Sequence, residues 1–366
     1  MSATRNQTAE IAVLFSAEER NTELREEVRL GLTSTPKELQ PKWFYDERGS
    51  ELFDAITRLP EYYLTRAERS ILERHAGEIA AMTDATTLIE LGSGTSDKTR
   101  ILLDALAPRR FVPFDVSEET LRASAQSLAR EYPALKVLAV VGDFEYHLPL
   151  LPANGRRLLA FLGSTIGNLP PTQRARFLND VAATLGDGDG DGDGDGDTFL
   201  LGVDLVKSPA RLVAAYDDPA GVTSEFNLNV LRVLNRELCG NFDVSAFEHV
   251  AHWNAEAEWM EMFVRSLRKQ TVRLEALELE VAFDAGELMR TEISAKFHLW
   301  RLANELEAAG LAVQRRWTDD VGDFAVLLAS ATQGGKPRRL TTKPALTSFA
   351  DFARRTAAAW AVDEAR

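Results

Sequence analysis

Thr87-Leu-Ile-Glu-Leu-Gly-Ser-Gly-Thr-Ser-Asp-Lys98 limits what this chain can fold into more than any other stretch. Residues 87–91 are a short apolar run with β-branched members, the pattern of a buried strand. Gly92 and Gly94 follow at once, and residues 99–106 take up a helical pattern. Strand, glycine turn and helix open a nucleotide-binding α/β unit, because glycine lets backbone approach a ligand where a Cβ would clash. The turn lacks the Gly-Lys-Ser/Thr ending of a phosphate-cradling loop. Asp97 stands where a dinucleotide fingerprint would carry its third glycine. Glu90 ends the strand where a dinucleotide would bring its pyrophosphate. An acid there suits a cationic or zwitterionic ligand. S-adenosylmethionine (SAM) carries a sulfonium, an ammonium and a carboxylate, and no phosphate.

The following strands extend this reading. Residues 110–116 contain Asp115 at the strand end, about 20 residues past the glycine turn, where a carboxylate would meet ribose hydroxyls. Residues 137–143 run into Gly142-Asp143-Phe144, an acid and a ring suited to the amino edge and the face of an adenine. Each acid alone is equally a helix cap or turn residue. Three strand-end acids in one α/β series point to a nucleoside cleft beyond the carboxyl ends of the strands. Residues 157–161 form a fourth strand pattern, followed by Leu162-Gly163-Ser164-Thr165-Ile166-Gly167-Asn168. Small residues there leave backbone open to a ligand, and the Asn168 carboxamide offers donors and an acceptor. Residues 198–204 are a fifth strand. A helix over 300–309, closed by Gly310, precedes a terminal hairpin of 311–317 and 324–330. The pattern predicts an α/β fold: a Rossmann-like class I methyltransferase sheet with an antiparallel last strand.

The N-terminal flank and an insertion over 208–296 stand outside that series. Residues 1 to 20 read as polar and loosely held. Residues 17–31, 49–59, 68–81, 173–185 and 220–238 read as helices, 258–268 and 271–281 as strands. Tyr45 sits in an extended aromatic run between prolines, and Tyr62 and Tyr63 in a second proline-marked turn. Packing is the plainer reading of these rings, a wall over the cleft the other. Glu292 and Ser294 alternate on a strand-like run and so share a face. An ordinary exposed strand would look the same. His249 and His252 lie three apart, on one face if helical, with no third ligand at metal spacing, so no metal is expected. The Gly-Asp repeat at 186–197 lacks the closing Glu of a calcium loop and reads as a solvated turn. Residues 333–366 read as a linker and an amphipathic helix over 348–365, which would dock on the domain or on a second copy.

Lys and Arg number 42 against 56 Asp and Glu, a formal charge of −14 that disfavours nucleic acid and anionic membranes as partners. No apolar run approaches the ~20 residues of a membrane span. The N-terminus has no signal-peptide pattern, and Cys239 is the only cysteine. A cytoplasmic protein without an internal disulfide is expected, and a monomer unless the C-terminal helix pairs.

Several runs together resemble the histidine-specific SAM-dependent methyltransferase family, over about residues 20–330. They are Pro41-Lys-Trp-Phe-Tyr-Asp46, Thr57-Arg-Leu-Pro-Glu-Tyr62-Tyr63, Glu90-Leu-Gly-Ser-Gly-Thr95, Phe114-Asp115-Val116, Gly142-Asp143-Phe144 and Phe161-Leu-Gly-Ser-Thr-Ile-Gly-Asn168. Ala215-Tyr216-Asp217-Asp218, Phe226-Asn227 and Thr291-Glu292-Ile293-Ser294-Ala-Lys296-Phe297 belong with them. The resemblance is closest to the branch that serves ergothioneine biosynthesis. It implies three methyl transfers from SAM to the α-amine of L-histidine, giving hercynine. It also implies a SAM-binding domain of 67–206 and 297–332, and an α+β substrate-binding domain of 15–66 and 207–296. By the family's pattern Tyr45, Gly92, Lys98, Asp115, Asp143 and Phe144 would contact the cofactor. Tyr62, Gly163, Asn168, Tyr216, Met262, Glu292 and Ser294 would surround histidine, with Tyr62, Asn168 and Tyr216 nearest the chemistry. Asn168 and Tyr216 would hold the carboxylate and amine end, and Glu292 and Ser294 the imidazole. A carboxylate beside a hydroxyl matches a ring with one N–H and one lone pair, whereas an indole has a donor only. Alternatives are a same-fold enzyme acting on another amine, such as a tryptophan derivative, and a non-catalytic SAM-binding regulator.

Overall fold

In this computed structural model the organising strand is wholly buried and lies fourth in an eight-stranded sheet. The structure describes residues 9–152, 155–186 and 196–332. The body of the Gly-Asp repeat and the linker and helix expected over 333–366 lie outside the described residues. The chain opens with β1 (Glu10–Val13), α1 (Ala17–Thr33), β2 (Lys37–Glu38), α2 (Glu47–Thr57) and α3 (Leu64–Thr83). Then β3 (Thr87–Leu91), α4 (Thr99–Leu106), β4 (Arg110–Asp115), α5 (Glu118–Glu131), β5 (Lys136–Val141), α6 (Phe144–His147), β6 (Arg157–Phe161), α7 (Pro171–Gly186) and β7 (Thr198–Asp204) follow. The insertion holds α8 (Pro209–Tyr216), α9 (Val222–Glu237), β8 (Phe247–Asn254), β9 (Trp259–Ser266), β10 (Gln270–Leu274), β11 (Leu279–Phe283) and β12 (Leu288–Ala295). The chain closes with α10 (Leu299–Ala308), β13 (Leu311–Thr318) and β14 (Phe324–Ala331).

The large sheet runs β1-β5-β4-β3-β6-β7-β14-β13. Its first six strands are mutually parallel. The last strand in sequence, β14, is antiparallel to both neighbours, as the terminal hairpin predicts. Successive residues within the strands alternate between two cores. Leu88, Phe111, Leu158 and Leu200 enter one, while Ile89, Val112, Leu159 and Leu201 enter the other. This is a sheet buried on both faces, which is why its strands read as continuous apolar runs. Phe177 and Val181 of α7 and Leu302 and Leu306 of α10 cover the second face. The first face shares its core with α3 and with Met260, Met262 and Val264 of the insertion.

The chain builds outward from β3 through β4 to β5, then returns to add β6 on the other side of β3. That reversal leaves a crevice at the carboxyl ends of β3 and β6. The two glycine-bearing loops, after Leu91 and after Phe161, meet there. The insertion forms a second sheet, β2-β12-β9-β8, and a ribbon of β10 and β11.

Five expectations are corrected. The aromatic run that carries Tyr45 is not extended: residues 41–44 wind into one 3-10 turn that ends at Tyr45. Residues 10–13 are not loose: they pair in parallel with residues 138–141 and extend the large sheet. The run 271–281 is two strands, broken by a tight turn at Glu275–Leu277. Residues 247–254, not expected as a strand, form the edge strand β8. His249 and His252 therefore lie on opposite faces of a strand and not on one face of a helix. His249 is held by the Tyr216 carbonyl at 2.8 Å and Asn227 at 2.7 Å, while His252 pairs with Glu261 at 3.3 Å.

Candidate active site

A cleft of about 630 Å³ opens at the crevice, and every residue that the family's pattern assigned to cofactor or histidine lines it. On its β3 side Gly92 and Gly94 both have positive φ, 65° and 48°, with nothing within 4 Å of a notional Cβ. The turn thus exposes bare backbone to the cleft, which side chains would crowd. Asp115 at the end of β4 accepts from the Gly94 N–H at 3.0 Å and the Ser117 N–H at 2.9 Å. Burial raises its carboxyl above the ordinary range despite those donors. Asp143 serves two readings at once. One oxygen caps α6 by accepting from the Glu145 N–H at 2.9 Å, and the other lies 3.2 Å from the Lys42 ammonium. Phe144 stands edge-on to Phe161 at 5.1 Å. Glu90 is bonded by the Thr99 hydroxyl, and burial pushes its carboxyl to about 7.

Lys98 is anchored by Glu68, a fully buried acid on α3 that sequence reasoning missed. Glu68 also accepts from the Gly163 N–H, at 2.8 and 3.0 Å to its two oxygens. One carboxylate thereby joins the lysine after the β3 glycine turn to the glycine after β6. A signal was available: Glu68 shares its helix face with Leu64, Ile71 and Leu72, all buried.

Across the cleft, β12 supplies Glu292 and Ser294 on one face. A register shift between Arg290 and Glu292 sets their aim, and Met262 stands directly opposite Glu292 in β9. Ser294 accepts from the Tyr216 hydroxyl at 2.8 Å, so two residues assigned to different ends of a substrate touch. Behind them lies a second missed group. Lys296 bonds to Tyr216 and Ser294 at 2.8 and 2.9 Å and pairs with Asp204 at 2.9 Å. Asp204 also accepts from the Tyr63 hydroxyl at 2.9 and 2.8 Å. Lys296 continues the alternation of Glu292 and Ser294, and Asp204 is one more strand-end acid, so both had sequence signals.

Among the residues lining the cleft, Tyr45, Tyr62, Asn168 and Glu292 carry polar groups that no described residue bonds. Burial, then the Tyr216 and Glu292 charges, raises the Tyr62 phenol well above its ordinary value, so it stays an O–H. Burial pushes the Glu292 carboxyl to about 7, the Lys296 charge pulling the other way. Tyr45, Phe53, Tyr62 and Tyr216 make a continuous aromatic wall, with neighbouring ring centroids 5.7 to 6.3 Å apart. Such polar groups are costly to bury unless a ligand completes them.

The doubly wound sheet, the reversed last strand and the acid-lined glycine crevice without a phosphate loop define a SAM-dependent methyltransferase of the Rossmann-like class. Residues 24–331 match the family described as histidine-specific, SAM-dependent methyltransferase, and the chain belongs to that family. A histidine N-alpha-methyltransferase of Mycobacterium tuberculosis is 56% identical over 84% of this chain and 94% of its own length. One from Mycolicibacterium smegmatis is 53% identical over 88% and 99%. Ergothioneine biosynthesis protein 1 of Neurospora crassa is 36% identical over 55% of this chain and 23% of its own length. No described helix is long and apolar enough to cross a membrane.

Proposed function

We propose that this chain moves three methyl groups from SAM to the α-amine of L-histidine, giving hercynine, in ergothioneine biosynthesis. The observation that carries the reading is Glu292: a carboxylate that no described residue hydrogen-bonds, two residues from a hydroxyl on the same strand face, inside the cleft that the glycine turn opens. A donor–acceptor pair of this kind complements a neutral imidazole. The relatives' names support the same substrate.

The residues present fit the cofactor. Gly92 and Gly94 give it bare backbone, Asp115 and Asp143 give carboxylates to ribose and adenine, Phe144 a ring, Lys98 a cation and Tyr45 a phenol. When bound, SAM supplies a methyl group on a sulfonium. The chain's own task is alignment, which can contribute several kcal/mol to such a displacement. Asn168 and Tyr216 hold the amino-acid end, while Glu292, Ser294 and Met262 hold the ring. An α-amine of pKa ~8 has a useful neutral fraction near neutral pH. Tyr62, kept as an O–H, accepts a hydrogen bond from the amine through its phenol oxygen and does not act as a phenolate base; the amine's proton leaves to solvent before the transfer. Gly163 brings backbone to the amine side. The aromatic wall receives the growing and finally permanent cation, which ring faces attract.

We further infer that residues 67–206 and 297–332 form the cofactor domain. Residues 15–66 and 207–296 form the substrate domain, built on the second sheet. A monomer in the cytoplasm, without nucleic acid as partner, agrees with the acidic charge and the single cysteine.

Mass spectrometry of L-histidine incubated with protein and SAM, with tryptophan and histamine in parallel, tests the substrate. Three added methyl groups on histidine alone are expected. Methylation of tryptophan or histamine instead would move the substrate, and no methylation with cofactor bound would leave a regulator.

A further inference from the structure

Lys296 is a buried cation that touches neither the cleft's cofactor side nor solvent; its side chain and that of Asp204 are both 0% exposed. An ammonium has three hydrogens and no lone pair. Here all three are spoken for: Asp204 at 2.9 Å, the Tyr216 hydroxyl at 2.8 Å and the Ser294 hydroxyl at 2.9 Å. Both hydroxyl oxygens must therefore accept from Lys296. They lie 2.8 Å apart and share one of their two hydrogens. One hydroxyl hydrogen is left, and the only unfilled space it can serve is the cleft. Without the lysine, either hydroxyl could turn round and accept from a ligand. With it, and with the Tyr216 hydroxyl donating to Ser294, both Ser294 lone pairs are filled and that hydroxyl can only donate, while the Tyr216 oxygen keeps one lone pair for the amino-acid end. Asp204 keeps the lysine in place and is itself steadied by Tyr63 and Lys207.

We propose that Lys296, anchored by Asp204, is a positioning residue that, with Tyr216, fixes the Ser294 hydroxyl as a hydrogen-bond donor, so that the pocket selects a ring nitrogen bearing a lone pair. This rests on the function proposed above and deepens it: Glu292 takes the ring N–H, and the Ser294 hydroxyl takes the bare nitrogen. A ring with a single N–H and no second nitrogen leaves the donor unpaired.

The test compares kcat/KM for L-histidine with that for 3-(pyrrol-2-yl)- and 3-(pyrrol-3-yl)-L-alanine, which keep one ring N–H and lack the second nitrogen. The wild type should prefer histidine by roughly 100-fold or more, the range found where a site's polar group is left unpaired by the wrong substrate. Lys296→Met should cut that preference at least tenfold while leaving S-adenosylhomocysteine binding within about threefold. Lys296→Gln, whose amide can donate to both oxygens, should restore part of it. A lysine that serves structure alone would lower kcat/KM equally for all three substrates, and an unchanged ratio in Lys296→Met overturns the proposal. A wild-type preference below about threefold overturns it without any variant. Should Lys296→Met not fold, Asp204→Asn is read by the same ratio, with a smaller fall expected and no fall counting against. A wild type that methylates no histidine removes the function reading and this inference with it. Histidine turnover with an unmoved ratio removes this inference only.

Discussion

Glu292 carries a cost that the empty protein bears at the pH where it would work. Burial pushes its carboxyl from an ordinary 4.5 to about 7. Between those values the folded chain holds a proton that the unfolded chain has lost. Stability therefore declines as pH rises through that window and is undiminished below it. Glu292→Gln is neutral throughout and removes the decline. The cofactor-free variant should gain about 1–2 kcal/mol over its parent at pH 8, discounted for partial exposure, and little at pH 5. Denaturant unfolding at the two pH values measures this; an equal difference at both would sink it. Glu90, also near 7 through burial, titrates in both proteins and cancels from the comparison. Glu292 was legible because strand alternation needs only its own neighbours in sequence. Asp115 and Asp143 were legible because strand ends are visible as such. The partners that complete the site were not, since they come from far along the chain: Tyr63 reaches Asp204 across 141 residues, and Gly163 reaches Glu68 across 95. An acid on an apolar helix face signals that it needs a partner, but not which one.

Among the elements, the contact of α3 with β7 is the tightest constraint on the cleft. A Cβ at Gly202 would stand 2.0 Å from a Glu68 oxygen, so only glycine lets that carboxylate lie flat over the strand. Gly202→Ala should push Glu68 off the Gly163 N–H and away from Lys98. Overpacking of this kind costs about 1–3 kcal/mol. Affinity for S-adenosylhomocysteine should fall roughly tenfold, since the freed lysine and loop lose charge-assisted bonds of about 1.5 kcal/mol each. Calorimetry separates the two effects. Lost stability with unchanged affinity would reduce Glu68 to packing. The main strands of the large sheet could be read in advance because both their faces are buried. Two edge strands could not: β1 is four residues with exposed ends, and β8 is largely half-buried, with two histidines and a glutamate among its residues. Period and apolarity fade where one side meets water.

Over the whole molecule, the N-terminal segment ties the two sheets together before either is complete. Residues 10–13 join the large sheet, residues 37–38 join the second, and Lys42 then reaches Asp143 on the wall of the cleft. Lys42 is largely buried among Glu23 and Glu27 of α1 and Asp143. Burial alone would lower its ammonium, but the charges of Asp143, Glu27 and Glu23 outweigh that and raise it. The cation thus holds three carboxylates together and fixes Asp143 for a ligand. Removing one partner of a buried charge cluster costs more than the pairing itself stabilised, because the remaining charges stay buried. Lys42→Met keeps an unbranched apolar side chain and deletes the charge, and with it the ammonium that lies over the Trp43 ring. Its carboxylates repel, and Glu145, already pushed to about 7 by burial and then by Asp143, loses the Lys42 charge that holds it down and takes up a proton near neutral pH. The expected outcome is a rise of about tenfold in the dissociation constant for S-adenosylhomocysteine, corresponding to ~1.4 kcal/mol. Hydrogen exchange over residues 41–46 should quicken in the same variant, because the tie to Asp143 is what closes that turn over the cleft. Histidine affinity at saturating cofactor should move less than threefold, since Lys42 touches no residue of the ring pocket. Equal weakening of both ligands would mean that the N-terminal segment holds the whole cleft open or shut, and that Lys42 acts on closure and not on Asp143 alone.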